Sequence, residues 1–236
     1  MGTYKQAVLV LRWFLDDTRM VALARDNGIA VSTAYDYRDE GVAVLAARRP
    51  SLHGALLAAK AAGHSHVIVD GTLIHTDRTR TPGPTPGVDL WWSGKHHHHG
   101  GNIQVVSAPD GWPLWTSDVR PGREHDISAA RVDPDLLARI ADWVNDGAAA
   151  LADLAYEGES DTFTIPIKKP KHRHLAQDQQ SYNALHSALR CLGERANSLL
   201  KTTYKALRRY RGCPWRLSNI TAAALVLLHH QHNRTT

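Results

Sequence analysis

Apolar and polar positions alternate with helical spacing at both ends of the chain and with strand-like runs between them. Lys5 to Leu15 predicts a short apolar helix. A second helix after Asp17-Thr18 stops at Asn27-Gly28, residues that tolerate the left-handed conformation. Ser32 is placed to cap a third helix reaching about Ala47, and Ser51 to Ala62 predicts a fourth, ended by Gly63. The period then changes. Val67-Ile68-Val69 is a buried-strand run that stops at Asp70-Gly71, and Ala148 to Ala152 is another that stops at Asp153. Asn102 to Ser107 and Pro113 to Ser117 predict a hairpin around Asp110-Gly111. Ile127 to Asn145 reads as one helix, Thr164 to Ile167 as an edge strand interrupted by Pro166, and Pro214 to His230 as a last helix.

The longest periodic stretch is Ser181 to Arg211. Tyr182, Leu185, Leu189, Leu192, Ala196, Leu199 and Thr203 recur at steps of three and four, which predicts one buried face. At about 100° per residue Glu194 points away from that stripe, and Arg190, Lys201, Lys205 and Arg208 fall within roughly 40° of it. A lone carboxylate thus stands in a row of cations. Taken alone, such a row reads as a solvated face with weak ion pairs.

Composition narrows the classes. With 236 residues, 43% hydrophobic and 22% charged, the chain can bury one sizeable core plus a small accessory domain. No apolar run approaches the ~20 residues of a membrane span, and no signal-peptide core opens the chain, so a cytoplasmic protein is expected. Two cysteines, Cys191 and Cys213, suit a reducing compartment. The net charge of +5 is uneven: residues 162–216 carry 12 Lys and Arg against 2 acids, a local +10 that leaves −5 elsewhere. A basic C-terminal third suggests a polyanion-facing surface, most often nucleic acid.

The first helices extend that reading. Two helices around a tight Gly-containing turn make a helix-turn-helix candidate, with Ser32, Thr33, Tyr35 and Arg38 at the start of the recognition helix. Asp36, Asp39 and Glu40 count against DNA contact there, and the alternative is a helical hairpin packed on the main domain. Arg48-Arg49-Pro50 suggests a boundary, giving residues 1–50 and 51–236 as two units.

The chemistry centres on carboxylates. Asp70 and Asp153 each follow a buried apolar run, and open α/β sheets place ligands at strand ends. If the strands are neighbours and parallel, only ~4.8 Å separates them, so both side chains can share a cation. Either aspartate alone reads as a turn residue. With Glu194 they form a candidate three-carboxylate site.

These residues also sit in strings that resemble a known family. Val69-Asp70-Gly71-Thr72, then Gly94-Lys95-His96 with Gly101-Asn102-Ile103-Gln104-Val105, then Pro121 to Asp126, then Asp153 with Tyr156 and Gly158, and finally Arg190, Glu194 and Lys201 occur in order. Together they resemble the DDE transposases of bacterial insertion sequences in the group related to Harbinger-type elements. Ala155, where many relatives have Gly, and Ser187, where a sister group has Tyr, depart from the pattern.

The resemblance implies an α/β fold: an RNase H-like mixed sheet flanked by helices, preceded by a small helical helix-turn-helix domain. It implies catalysis and metal binding by Asp70, Asp153 and Glu194, with two Mg²⁺ ions that Mn²⁺ can replace. Arg190 and Lys201 would grip DNA, joined by Lys205, Arg208, Lys95 and His96. The implied function is cleavage at transposon ends and strand transfer into target DNA, by a homodimer pairing terminal inverted repeats and associated with the nucleoid. A non-catalytic DNA-binding protein from a decayed element and an RNase H-like nuclease without strand transfer are the rivals.

Other conspicuous strings carry less. His96 to His99 cannot all ligate one ion, because successive strand residues alternate faces. His125-Asp126 reads either as a pair behind the metal ligands or as a helix cap; Asp126, before Ile127, is well placed for capping, and His125 stays open to a role beside the ligands. Trp91-Trp92 reads as packing a loop onto the domain.

Overall fold

A computed structural model describes all 236 residues and shows a mixed α/β protein in which eight α-helices surround a curled mixed sheet. The chain opens with α1 (Thr3–Asp16), α2 (Met20–Asn27) and α3 (Val31–Ala46). Gly28 ends α2 at φ 62°, the left-handed stop anticipated there. Ser32 is not the cap of α3. The extended residue before the helix is Ala30, which has no side chain able to cap, and Ser32 lies inside the first turn. By contrast Ser51 caps α4 (Leu52–Ala61), accepting from Gly54 N–H.

The three N-terminal helices do not bury a core of their own. Leu9, Trp13, Phe14 and Leu23 belong to the same buried cluster as Tyr204, Leu217 and Ile220, and the Phe14 ring meets Tyr204 edge-on at 5.8 Å. The Pro50 break lies beside a shared core.

The sheet is built around β1 (His66–Thr76). It pairs antiparallel with β3 (His98–Ser107), which also pairs with β2 (Trp92–Ser93), β4 (Pro113–Thr116) and β5 (Arg120–Pro121). On its other edge β1 runs parallel to β6 (Ala149–Leu151) and β7 (Arg209–Tyr210). The strand predicted to stop at Asp70-Gly71 continues to Thr76, because Gly71 to His75 find partners from Gln104 to Gly100 on β3. Asp70 therefore stands mid-strand. The hairpin around Asp110-Gly111 is present, with Gly111 at φ 79° and Asp110 accepting from Trp112 N–H.

Two helices replace the single one expected after Asp126. Pro134 cannot continue a helix, so α5 (Asp126–Val132) ends and α6 (Leu136–Asn145) restarts, with Asp133 accepting from the amides of Asp135 and Leu136. The expected edge strand near Thr164 is one isolated bridge to Leu151, next to Pro166.

The long helix α7 (Gln177–Thr203) differs from its sequence-based expectation in two ways. Its buried residues are His186, Gly193, Ala196 and Leu200, while Tyr182, Leu185, Leu189 and Leu192 are exposed. The helix is rolled so that small residues meet the sheet: a Cβ on Gly193 would stand 2.6 Å from Ile68 Cγ2. It also ends at Thr203, where buried Tyr204 pulls the chain into the core. Lys205 and Arg208 thus lie beyond the helix rather than on its cationic row. A short 3₁₀ turn leads to α8 (Leu217–Gln231), which is buried from Ile220 to Leu225 and again at Leu228 and His229. No helix is long and apolar enough to cross a membrane.

Candidate active site

Register brings the two aspartates together. Ile68 on β1 is the parallel partner of Leu151 on β6, and Asp70 and Asp153 each lie two residues further along. The neighbouring parallel strands therefore bring both residues to the same edge of the sheet. Asp153 holds a short 3₁₀ turn by accepting from Ala155 N–H at 2.9 Å.

Helix α7 crosses β1 over this point. Asn197 donates its Nδ2 to Asp70 Oδ2 at 2.8 Å, and the Arg190 guanidinium stands 3.7 Å from Asp70 Oδ1. Seven residues separate the two on the helix, which places them on one face two turns apart. The oxygen of the same amide, Asn197 Oδ1, is buried without a partner. Burial pushes Asp70 up to about 6; Arg190 opposes the rise, while the carboxylates of Asp153 and Asp126 add to it. Burial also pulls the Lys201 ammonium below the usual lysine range, with Asp70 partly offsetting the effect.

Alternation on β1 turns Asp70 toward α7 and Gly71 toward α5. On the α5 side, Asp126 lies against Gly71 so closely that a Cβ there would collide with its Oδ1. Asp126 is not a helix cap: the capping position is His125, which makes no side-chain capping bond. Its carboxylate instead accepts from Asn102 Nδ2 at 2.8 Å and Lys95 Nζ at 3.4 Å. Lys95, His96, Arg123, His125 and Asp126 line a cavity of about 340 Å³. Burial and then the Lys95 charge lower His96 from its ordinary value.

The remaining candidates lie apart. Glu194 is exposed, one turn beyond Arg190, and is not among the charges acting on Asp70. Lys205 pairs with Asp16 at 3.6 Å, and Arg208 folds back onto Lys201 O at 3.2 Å. Arg38 is buried, bonded to Asp39 and packed between the rings of Trp13 and Tyr35. It joins Ser32 and Tyr35 in the wall of a separate cleft of about 800 Å³ that Arg211 and Arg216 close. Thr33 is partly buried on the same helix. Sequence reading favoured a cap for Asp126 and missed Asn197; the seven-residue step from Arg190 to Asn197 was the available signal.

The order of these parts along the chain is that of one family, whose model, described as DDE superfamily endonuclease, matches residues 69–229. The chain belongs to the DDE superfamily endonucleases. Membership makes it a nuclease-type protein whose substrate class is nucleic acid. No curated protein and no solved structure matches it. The matched span opens one residue before Asp70 and includes Asp153, Glu194 and the whole of α7 beyond residue 177. Family members generally use divalent metals. Here Asp70 and Asp153 offer only oxygen donors, the type that hard cations prefer. No group of three or more His, Cys, Asp or Glu is arranged to hold a metal ion.

Proposed function

We propose that the protein is a DDE transposase with an RNase H-like catalytic domain that cuts phosphodiester bonds at the ends of its element and joins them to target DNA. The observation that carries the reading is the parallel pairing of β1 with β6, which sets Asp70 beside Asp153 just past the end of β6, with Arg190 and Asn197 of α7 over Asp70. Asp70 and Asp153 would hold Mg²⁺ or Mn²⁺, joined by Glu194 once α7 shifts from the position that leaves it exposed here, and the bound metal would supply activation of the attacking oxygen and neutralisation of the leaving one. Asn197 keeps Asp70 turned toward the edge, while Arg190, Lys201 and Lys95 hold the DNA backbone. His96 and His125 face the same opening, and α2–α3 would read the terminal inverted repeats as a helix-turn-helix. Two copies would pair two ends on the nucleoid.

The deciding experiment incubates the protein with DNA spanning its own element ends and Mg²⁺ or Mn²⁺. Nicks at the ends are expected, with Asp153→Asn abolishing them while end binding stays within a few-fold. Equal cutting by parent and variant would remove Asp153 from the site. A second reading, a DNA-binding protein without cleavage activity, is favoured by the exposed position of Glu194. Binding of the ends with no nicks in either metal would select it.

A further inference from the structure

Beneath the carboxylates runs a chain of hydrogen bonds with one direction. Tyr156, fully buried three residues beyond Asp153, donates its hydroxyl to Gln104 Oε1. Gln104 Nε2 donates to Asn102 Oδ1 at 3.2 Å, and Asn102 Nδ2 donates to Asp126 Oδ1. Asn102 and Gln104 lie two apart on β3, opposite Leu73 and Gly71, so both side chains rise on the α5 face. The bare Gly71 leaves the room in which Asp126 sits. Each member donates toward the next, so the bonds polarise one another and concentrate the preference for negative charge at Asp126.

A carboxylate beside a surface that takes a polyanion weakens binding unless it serves another group. Asp126 is only 12% exposed, and the one cation it meets, Lys95, is 63% exposed at the mouth of the 340 Å³ cavity. An exposed lysine is otherwise free to wander, since isolated surface pairs contribute little. Here the anion is anchored from below, so the lysine has a fixed partner.

We propose that Asp126 is a positioning residue of the DNA site: the Tyr156–Gln104–Asn102 chain fixes its carboxylate beside Gly71, and that carboxylate holds the Lys95 ammonium where a DNA phosphate approaches Asp70 and Asp153. The inference rests on the reading of the protein as one that acts on DNA.

The test measures binding of a fluorescent DNA duplex of arbitrary sequence to the full chain in EDTA across a salt series. Parent, Asp126→Asn, Lys95→Met and the double variant are compared. Plain electrostatics makes Asp126→Asn bind more tightly, because it removes a negative charge. Positioning makes it bind several-fold more weakly, lowers the salt slope by about one phosphate contact as Lys95→Met does, and makes the double variant no worse than Lys95→Met alone. Unchanged or tighter binding by Asp126→Asn, or a loss undiminished in the Lys95→Met background, overturns the proposal. Tyr156→Phe, which removes the first donor, carries the same cycle if Asp126→Asn does not fold. A parent that binds the duplex but never cuts its element ends removes the transposase reading and leaves the Asp126–Lys95 coupling to stand on the cycle. A parent with no affinity for DNA removes both.

Discussion

Burial, reinforced by the charges of Asp153 and Asp126, pushes Asp70 up to about 6 against an ordinary 3.8. The native protein therefore holds that proton more tightly than the unfolded chain does. The stability contributed by protonated Asp70 is complete below about pH 4 and is lost as the pH rises through about 6. Asp70→Asn cannot ionise and keeps the contribution. In EDTA at about pH 8 the variant should be more stable than the parent by roughly 2–3 kcal/mol, with the difference gone below about pH 4. Denaturant midpoints at the two pH values measure this, and equal midpoints at the higher pH would mean that ionised Asp70 is fully compensated by Arg190. Added Mn²⁺ should then raise the melting temperature of the parent and leave that of Asp70→Asn unchanged.

At the scale of elements, α7 decides how the site is assembled. Its apolar residues at 182, 185, 189 and 192 have the right period, yet the sheet accepts the face bearing Gly193 and Ala196. Close approach is the reason: Gly193 lets the helix axis come down onto Ile68, which brings Asn197 within hydrogen-bond distance of Asp70. Gly193→Val should therefore destabilise by about 1–3 kcal/mol through overpacking and reduce cleavage as Asn197 leaves Asp70. Leu185→Gln, on the exposed side, should stay within about ±0.5 kcal/mol. A large loss at Leu185 would restore the buried stripe that the sequence suggests. Lys201, near the C-terminal end of the same helix and facing Asp70, is expected to touch phosphate. Lys201→Ala should weaken DNA binding and flatten its salt dependence, and an unchanged slope would place it away from the backbone.

The whole molecule is held by one buried cluster that runs from α1 through the sheet to α8. Arg216 on the last segment pairs with Asp39 of α3, and Arg211 pairs with Asp17 at 3.3 Å, so the N-terminal helices are tied to the rest by charge as well as by packing. A chain starting at residue 51 would expose the partners of Trp13, Phe14 and Leu23. Its expected behaviour is aggregation or a molten state, read by loss of near-ultraviolet circular dichroism with retained helical signal. A sharp melting transition in that fragment would show that residues 51–236 fold alone, as a two-domain division requires.

What the amino-acid order settled by itself is local or carried by strings of fixed spacing. The strand runs before Asp70 and Asp153, the Gly28 stop, the Asp110-Gly111 turn and each single string of the family-like set depend on residues within a few positions of one another. Backbone sterics and short-range hydrogen bonds act at that distance. Tertiary structure decided the rest: that β1 runs on past Asp70 because β3 supplies partners, that α7 rolls onto its glycine, and that Asp126 leaves the helix cap for a place beside Gly71. Each depends on a neighbour 20 or more residues away, and no periodicity along the chain encodes which face such a neighbour will leave open.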